Sequence, residues 1–197
     1  GQFRGKFEAD APIDGSGVEL VSLNAGVALN AVPNRARIVF SGTDKAMLTD
    51  ACEKLVKRIP IDYEISDDTH VLIIGESAHA STPETGVNAG LASLMLLDHL
   101  PVADNKRNRL FKKVLDFFPY GVYDGSGLGI AMTDKEGLSL SATLDLFNVD
   151  EKHMSFQFDS RSPLNADNDN CLAVAKKTTE DAGFTFSSPG IVPPHYV

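Results

Sequence analysis

What most limits the shape of this chain is a pattern that occurs twice with no obvious residue identity. Residues 17–66 run hairpin, helix, strand, and residues 137–188 run the same way at an offset of about 120 positions. In the first stretch, apolar and polar residues alternate through "GVELVSL" (17–23) and "RARIVF" (35–40), the period of strands with one buried face. Leu48, Ala51, Cys52, Leu55, Val56 and Ile59 then recur at helical spacing behind "SGTD", whose Thr43 or Asp44 can cap the helix. "IDYEIS" (61–66) alternates again. In the second stretch, "GLSLSATLDLFNVDEKHMSFQFDSRSP" (137–163) reads as two strands joined near "NVDEK", followed by a helix from about Ala166 to Ala182 and by "FTFSS".

Between the copies, "HVLIIGESAHA" reads as a strand, a helix follows Pro83 and Gly86 from about Val87 to Leu100, and "NKRNRLFKKVLDFF" forms another. Assigning residues 69–100 to the second copy completes a β-α-β-β-α-β order, the split-βαβ or ferredoxin-like unit. The expectation is an α+β chain in two units, 1–68 and 69–197, with an extra helix at 105–118 in the second. Its sheet is antiparallel, with the helices on one face. Such a duplication can supply within one chain the pairing that other proteins reach by dimerising, so a monomer is expected.

The balance of 18 Lys and Arg against 27 Asp and Glu gives a net charge of -9, which repels phosphate backbones, so nucleic acid is not an expected partner. No run of about 18 apolar residues offers a membrane span and no basic-then-apolar leader opens the sequence, which predicts a cytoplasmic protein without membrane contact. Cys52 and Cys171 lack CxxC spacing and read as reduced core thiols. The sequence opens "GQFRGKF", its first methionine is Met47, and it ends on the proline-rich "PGIVPPHYV"; a piece of a longer protein is expected.

Among candidate site residues, His79 stands between two alanines at a strand-to-helix junction, beside a Ser-Thr-Pro turn. A ring nitrogen there can donate to an anion or oxyanion; the plain alternative is a turn histidine with Ser81 or Thr82 as a cap. Arg161 in "DSRSP" ends a strand, and its planar fork suits a carboxylate or simply Asp159. Asn30 in "LNAVPN" precedes a turn with Pro33. Gly125, Gly127 and Gly129 lack the spacing of a phosphate loop and read as a flexible lead into a strand. "NADNDN" (165–170) has no glycine at its sixth place and Lys176 at its twelfth, against a calcium loop. Lys106, Arg107, Arg109, Lys112 and Lys113 read as a solvated helix face. His70, His99, His153 and His195 show no metal-ligand spacing, and no GxSxG or local Cys-His signature marks a nucleophile.

"GESAHASTPETGVNAG" resembles the G-x-x-A-H-A-S-x-P-x-x-G-x-N-A segment in the lid domain of the di-zinc aminopeptidase and carboxypeptidase clan. That clan includes aminoacylases, succinyl-diaminopimelate desuccinylase and carboxypeptidase G. "LNAVPNRARIVFSG", "DGSGLGIAMTDKEGLSLSATLDLF", "FQFDSRSP" and "PPHYV", in this order, are similar to segments of the bacterial dipeptidases of the carnosine-cleaving Xaa-His type. The resemblance covers nearly the whole chain. It implies a lid without the catalytic domain, whose HxD and Glu-Glu zinc ligands are absent from this sequence. The two zinc ions are then held by that missing domain and none by this chain, which is inactive alone. His79 would stabilise the tetrahedral oxyanion, and Arg161 and Asn30 would hold the carboxylate end of a dipeptide substrate. The partner is the protein's own catalytic domain in cis. "SAT" stands where the family often has Thr-x-Asn. The readings outside this class are a noncatalytic small-anion-binding module built on the same three residues, and a dimerisation domain.

Overall fold

A computed structural model describes residues 1–193; His195 and all but the first residue of "PPHYV" lie outside the described residues. The strands are β1 (Gln2–Asp10), β2 (Glu19–Ala25), β3 (Arg35–Ser41), β4 (Asp62–Ile65), β5 (His70–Ile74), β6 (Ser141–Val149), β7 (His153–Arg161), β8 (Thr185–Ser187) and β9 (Ile191–Val192). The helices are α1 (Lys45–Val56), α2 (Ala89–Met95), α3 (Lys106–Phe117) and α4 (Ala173–Asp181). All strands join one antiparallel sheet in the order β4-β5-β3-β2-β6-β7-β1-β8, with β9 on β1. The α+β class is therefore as expected.

Alternation decides which face is covered. β1 buries Phe3, Gly5, Phe7 and Ala9, and β3 buries Ala36, Ile38 and Phe40, while the alternate residues stay partly or fully exposed. Leu48, Ala51, Cys52 and Leu55 bring α1 onto the buried side. Phe7 packs against Phe156, Phe184 and Phe117 at centroid separations of 5.4, 5.2 and 5.6 Å. Each such buried side chain contributes roughly 1.5–3 kcal/mol relative to exposure. Both cysteines are free and buried, and burial pushes the Cys52 thiol up to about 12 and that of Cys171 up to about 11. They are inert core groups at neutral pH.

Three expectations change. β5 pairs with β3 and β4, while the place beside β7 is filled by β1, so the strand at 70–74 hydrogen-bonds within the first copy instead of the second. In "DGSGLGI", Gly125 and Gly129 flank a tight helical turn, Ser126–Leu128, that contains Gly127, in place of a loose lead into a strand. Arg107 does not face solvent with the other cations of its helix: it is 3% exposed, and its guanidinium donates to the carbonyl oxygens of Ala11, Leu20, Val21 and Asp150. A register shift in β2 between Leu20 and Ser22 accounts for two of these acceptors, Leu20 and Val21, while Ala11 follows the end of β1 and Asp150 lies in the turn between β6 and β7. The oxygens of "NADNDN" act as a cap, with Asp167 accepting from the Asp169 and Asn170 N–H groups at 2.9 and 2.8 Å. Among the described residues, no helix is long and apolar enough to cross a membrane.

Candidate functional site

The segments around His79 and Asn30 are built as a pair. Ala80 N–H donates to the Asn30 carbonyl at 3.0 Å, Val32 N–H to Ala78 at 2.9 Å, Gly75 N–H to Asn34 at 2.9 Å and Ala89 N–H to Pro33 at 2.9 Å. Glu76 and Val87 exchange backbone bonds of 3.0 and 2.8 Å, closing the 75–89 segment on itself. That closure explains Gly75, since a Cβ there would lie 2.1 Å from the Val87 carbonyl oxygen. Asn88 caps α2 by accepting from Leu91 N–H at 3.0 Å, and its amide donates to the Leu144 carbonyl of β6 at 2.8 Å. The strap is thus fixed to the sheet at the end opposite His79. Ala31 and His79 face each other in an isolated antiparallel bridge, with Ala80 buried and His79 exposed. The alanine beside the histidine is small because it turns inward under the strap.

The His79 ring has a defined polarity. Ser81 N–H donates to Nδ1 at 3.0 Å, and the Ser81 hydroxyl lies 2.7 Å from the same nitrogen. A backbone N–H can only donate, so Nδ1 is the acceptor and the neutral ring carries its proton on Nε2. Nε2 has no hydrogen-bond partner among the described residues and is available as a donor. Neither Ser81 nor Thr82 caps the short helical turn that follows: the Ser81 hydroxyl turns to the histidine, and the Thr82 side chain makes no cap bond.

Arg161 ends β7, opposite Gln2 of β1 and Ser141 of β6. Its Nη2 lies 3.3 Å from Asp159 Oδ2, while Asp159 Oδ1 accepts from Arg4 Nε and Gln2 Nε2, both at 3.1 Å. The pairing with Asp159 weighed from the sequence is present, yet 37% of the Arg161 side chain stays exposed. Two guanidinium groups thus flank one buried carboxylate and leave positive charge for a further anion. Among the described residues no hydrogen bond joins Arg161 to Asn30 or His79. The loop after β2 runs between these regions. Gly26 turns at φ 94° against the Asp145 carbonyl, and Leu29 shares a cavity of about 470 Å³ with Arg4, Gly5, Lys6 and Gln157.

Asp145 sits in the bulge of β6 between Leu144 and Leu146, fully buried, and neither carboxyl oxygen has a hydrogen-bond partner among the described residues. Burial, reinforced by the Asp159 charge and opposed by Arg4 and Arg161, pushes its pKa up to about 9. The acid is neutral in the folded chain at pH 7, whereas the unfolded chain ionises it near pH 4. Folding therefore takes up a proton, and the stability from this group, complete below about pH 4, is lost as pH rises toward about pH 9. Asp145→Asn should flatten that loss. Urea midpoints from about pH 5 to about pH 9 would test it, and parallel profiles for variant and parent would refute the assignment.

Among the described residues, no group of three or more His, Cys, Asp or Glu is gathered where it could hold a metal ion. Sequence reasoning missed Gln2, Arg4 and Asp145, although Asp145 carried a signal. The apolar positions of β6 change parity between Leu144 and Phe147, as a bulge requires.

No family model matches the chain. It is 27% identical over 183 residues to a Beta-Ala-Xaa dipeptidase of Lactobacillus delbrueckii subsp. lactis. That alignment covers 90% of this chain and 38% of the relative, so the chain spans well under half the length of the protein it matches. The crystal structure of aminoacylhistidine dipeptidase from Vibrio alginolyticus aligns with 98% of this chain and 45% of its own, at 10% identity and a TM-score of 0.40.

Proposed function

We propose that this chain is the lid of a metal-dependent dipeptidase and contributes an oxyanion donor and carboxylate contacts to an active site completed by the rest of the protein. One observation carries the reading. His79 is exposed at the rim of a pinned strap, its Nδ1 occupied by Ser81 and its Nε2–H unpartnered, in a chain similar to a dipeptidase. A donor held in that way needs little reorganisation when negative charge develops on a peptide carbonyl oxygen. Arg161 would take the dipeptide's terminal carboxylate, with Asn30 at the same substrate end. The metal, two zinc ions in this reading, would activate the attacking water and lie outside this chain.

The halves β2-β3-β5-β4 and β6-β7-β1-β8 carry α1 and α4 at matching places, which supports two ferredoxin-like units in one chain. The duplication would make pairing with a second copy unnecessary, so the whole enzyme is read as a monomer. The unpartnered cysteines and the charge balance accord with a cytoplasmic enzyme.

The test is hydrolysis of β-alanyl and other small dipeptides by the full-length protein, with and without a chelator. No dipeptide cleavage would remove the reading and leave the small-anion-binding alternative. Arg161→Ala should raise KM for free dipeptides by about 10- to 100-fold and much less for C-terminally amidated ones, as a lost charged hydrogen bond does. Asp159 keeps Arg4 and Gln2, so the fold should survive the change. Equal losses on both substrates would argue against carboxylate recognition.

A further inference from the structure

The exposed face of β2 and β3 carries a second recess, beside the paired segments that hold Asn30 and His79. It holds about 350 Å³ and is bounded by β2, β3, β6 and the strap, with Arg35, Arg37, Asn24, Asn34, Asn148 and Ser77 in its lining. The register explains the convergence. Arg37 stands opposite Asn24, and Asn24 opposite Asn148, so the three form one row across β3, β2 and β6. Arg35, two residues earlier on the same strand and face, adds a second arginine whose backbone lies about 7 Å along the strand. Val32 and Pro33, both buried, form an apolar wall of the recess.

The charges here lack partners. Among the described residues neither arginine forms an ion pair, and Arg35 bonds only to the Asn34 carbonyl, at 3.0 Å. The carboxylates on the same cross-strand rows are Asp62 and Glu64, each separated from its arginine by the intervening strand β5. Two strand spacings amount to about 10 Å, near the screening length at ordinary ionic strength. In a chain of net charge -9, two unpaired arginines at one recess are a local reversal of sign. The asparagine amides add neutral donors, and a cavity of this size admits a small molecule.

We infer that this recess is a binding site for a small oxyanion ligand, a carboxylate or a phosphate, held by Arg35 and Arg37 with Asn24 and Asn148. The site is separate from Arg161 and does not depend on the dipeptidase reading. The arginine forks can each meet two oxygens of such a group, which a lysine pair would not do.

The experiment is an amide NMR titration of the 197-residue chain with inorganic phosphate and, in a second arm, with succinate, against potassium chloride at equal ionic strength. Saturable shifts centred on Asn24, Arg37, Ser77 and Asn148 are expected in at least one arm, and the arm that saturates identifies the oxyanion. Arg35→Gln with Arg37→Gln should weaken that binding by at least about tenfold, because two charged hydrogen-bonding groups are lost. Arg109→Gln with Lys113→Gln removes the same charge from exposed positions of α3 and should leave it unchanged. Both doubles are at exposed positions, so preserved dispersion of the spectra would show that they fold. Shifts that chloride reproduces, no saturation in either arm, or equal weakening by the two doubles would overturn the inference.

Discussion

Arg107→Met should cost the fold about 3–5 kcal/mol, measured as a lower urea midpoint, although the new side chain is apolar and of similar length. The reason lies in what the guanidinium satisfies. It donates to four carbonyl oxygens, those of Ala11, Leu20, Val21 and Asp150, at 2.7 to 3.1 Å for the best contact to each. These acceptors come from the end of β1, the bulge of β2 and the turn between β6 and β7. Without the donor the acceptors at Ala11 and Leu20 are left buried and lose this partner, at about 1–3 kcal/mol each where water cannot reach them, while those at the half-buried Val21 and the exposed Asp150 lose less. The side chain also lies over the Phe111 ring at 5.4 Å, a contact that methionine would partly keep. Burial pulls the guanidinium below its ordinary pKa, opposed by Glu19 and Asp150, so the carbonyls are satisfied by a charge that itself carries a burial penalty. Arg107→Lys should recover part of the loss, since an ammonium cannot span four acceptors. A loss under about 1 kcal/mol for Arg107→Met would show that water replaces the donor.

That residue also shows how far the sequence could be read. Arg107, Leu110, Phe111, Val114 and Phe117 recur at helical spacing, so the stripe that placed Leu110 and Val114 inside placed Arg107 there too. Its charge suggested solvent, but period outweighed charge because a dense set of freed carbonyls was waiting. β5 failed differently. Its apolar run gave a strand with a buried Val71 and Ile73, though of the residues read as strand, 70–80, only His70–Ile74 form β5, and nothing local says whether β3 or β7 will be its neighbour. β9 has two residues, too few for any period to register. Around His79 the sequence was most legible because the constraints are local. A close approach at Gly75, a cap at Asn88 and an inward Ala80 each demand one residue type within a short span. Arg161 was legible as a strand-end arginine, whereas its company of Arg4 and Gln2 comes from a strand more than 150 positions away.

His79→Ala in the full-length protein should lower kcat for dipeptide hydrolysis by about 10²–10³-fold, the effect of removing one oxyanion donor. KM should change little, because a ground-state carbonyl gains less from the donor than the charged oxygen of the tetrahedral state. Folding should be unaffected: the ring is exposed, and the strap is held by backbone bonds from Ala80, Val32, Gly75 and Ala89 that do not involve it. Ser81→Ala makes a sharper comparison. It removes the hydroxyl from Nδ1 but keeps the backbone N–H that fixes the proton on Nε2, so its loss should be smaller than that of His79→Ala. A donor role predicts this ranking, while a merely structural histidine predicts small losses in both. Metal content measured on each purified variant separates the donor role from an indirect effect on the rest of the site. An unchanged kcat for His79→Ala with full metal content would take His79 out of the reaction, even if the protein proved to be a dipeptidase.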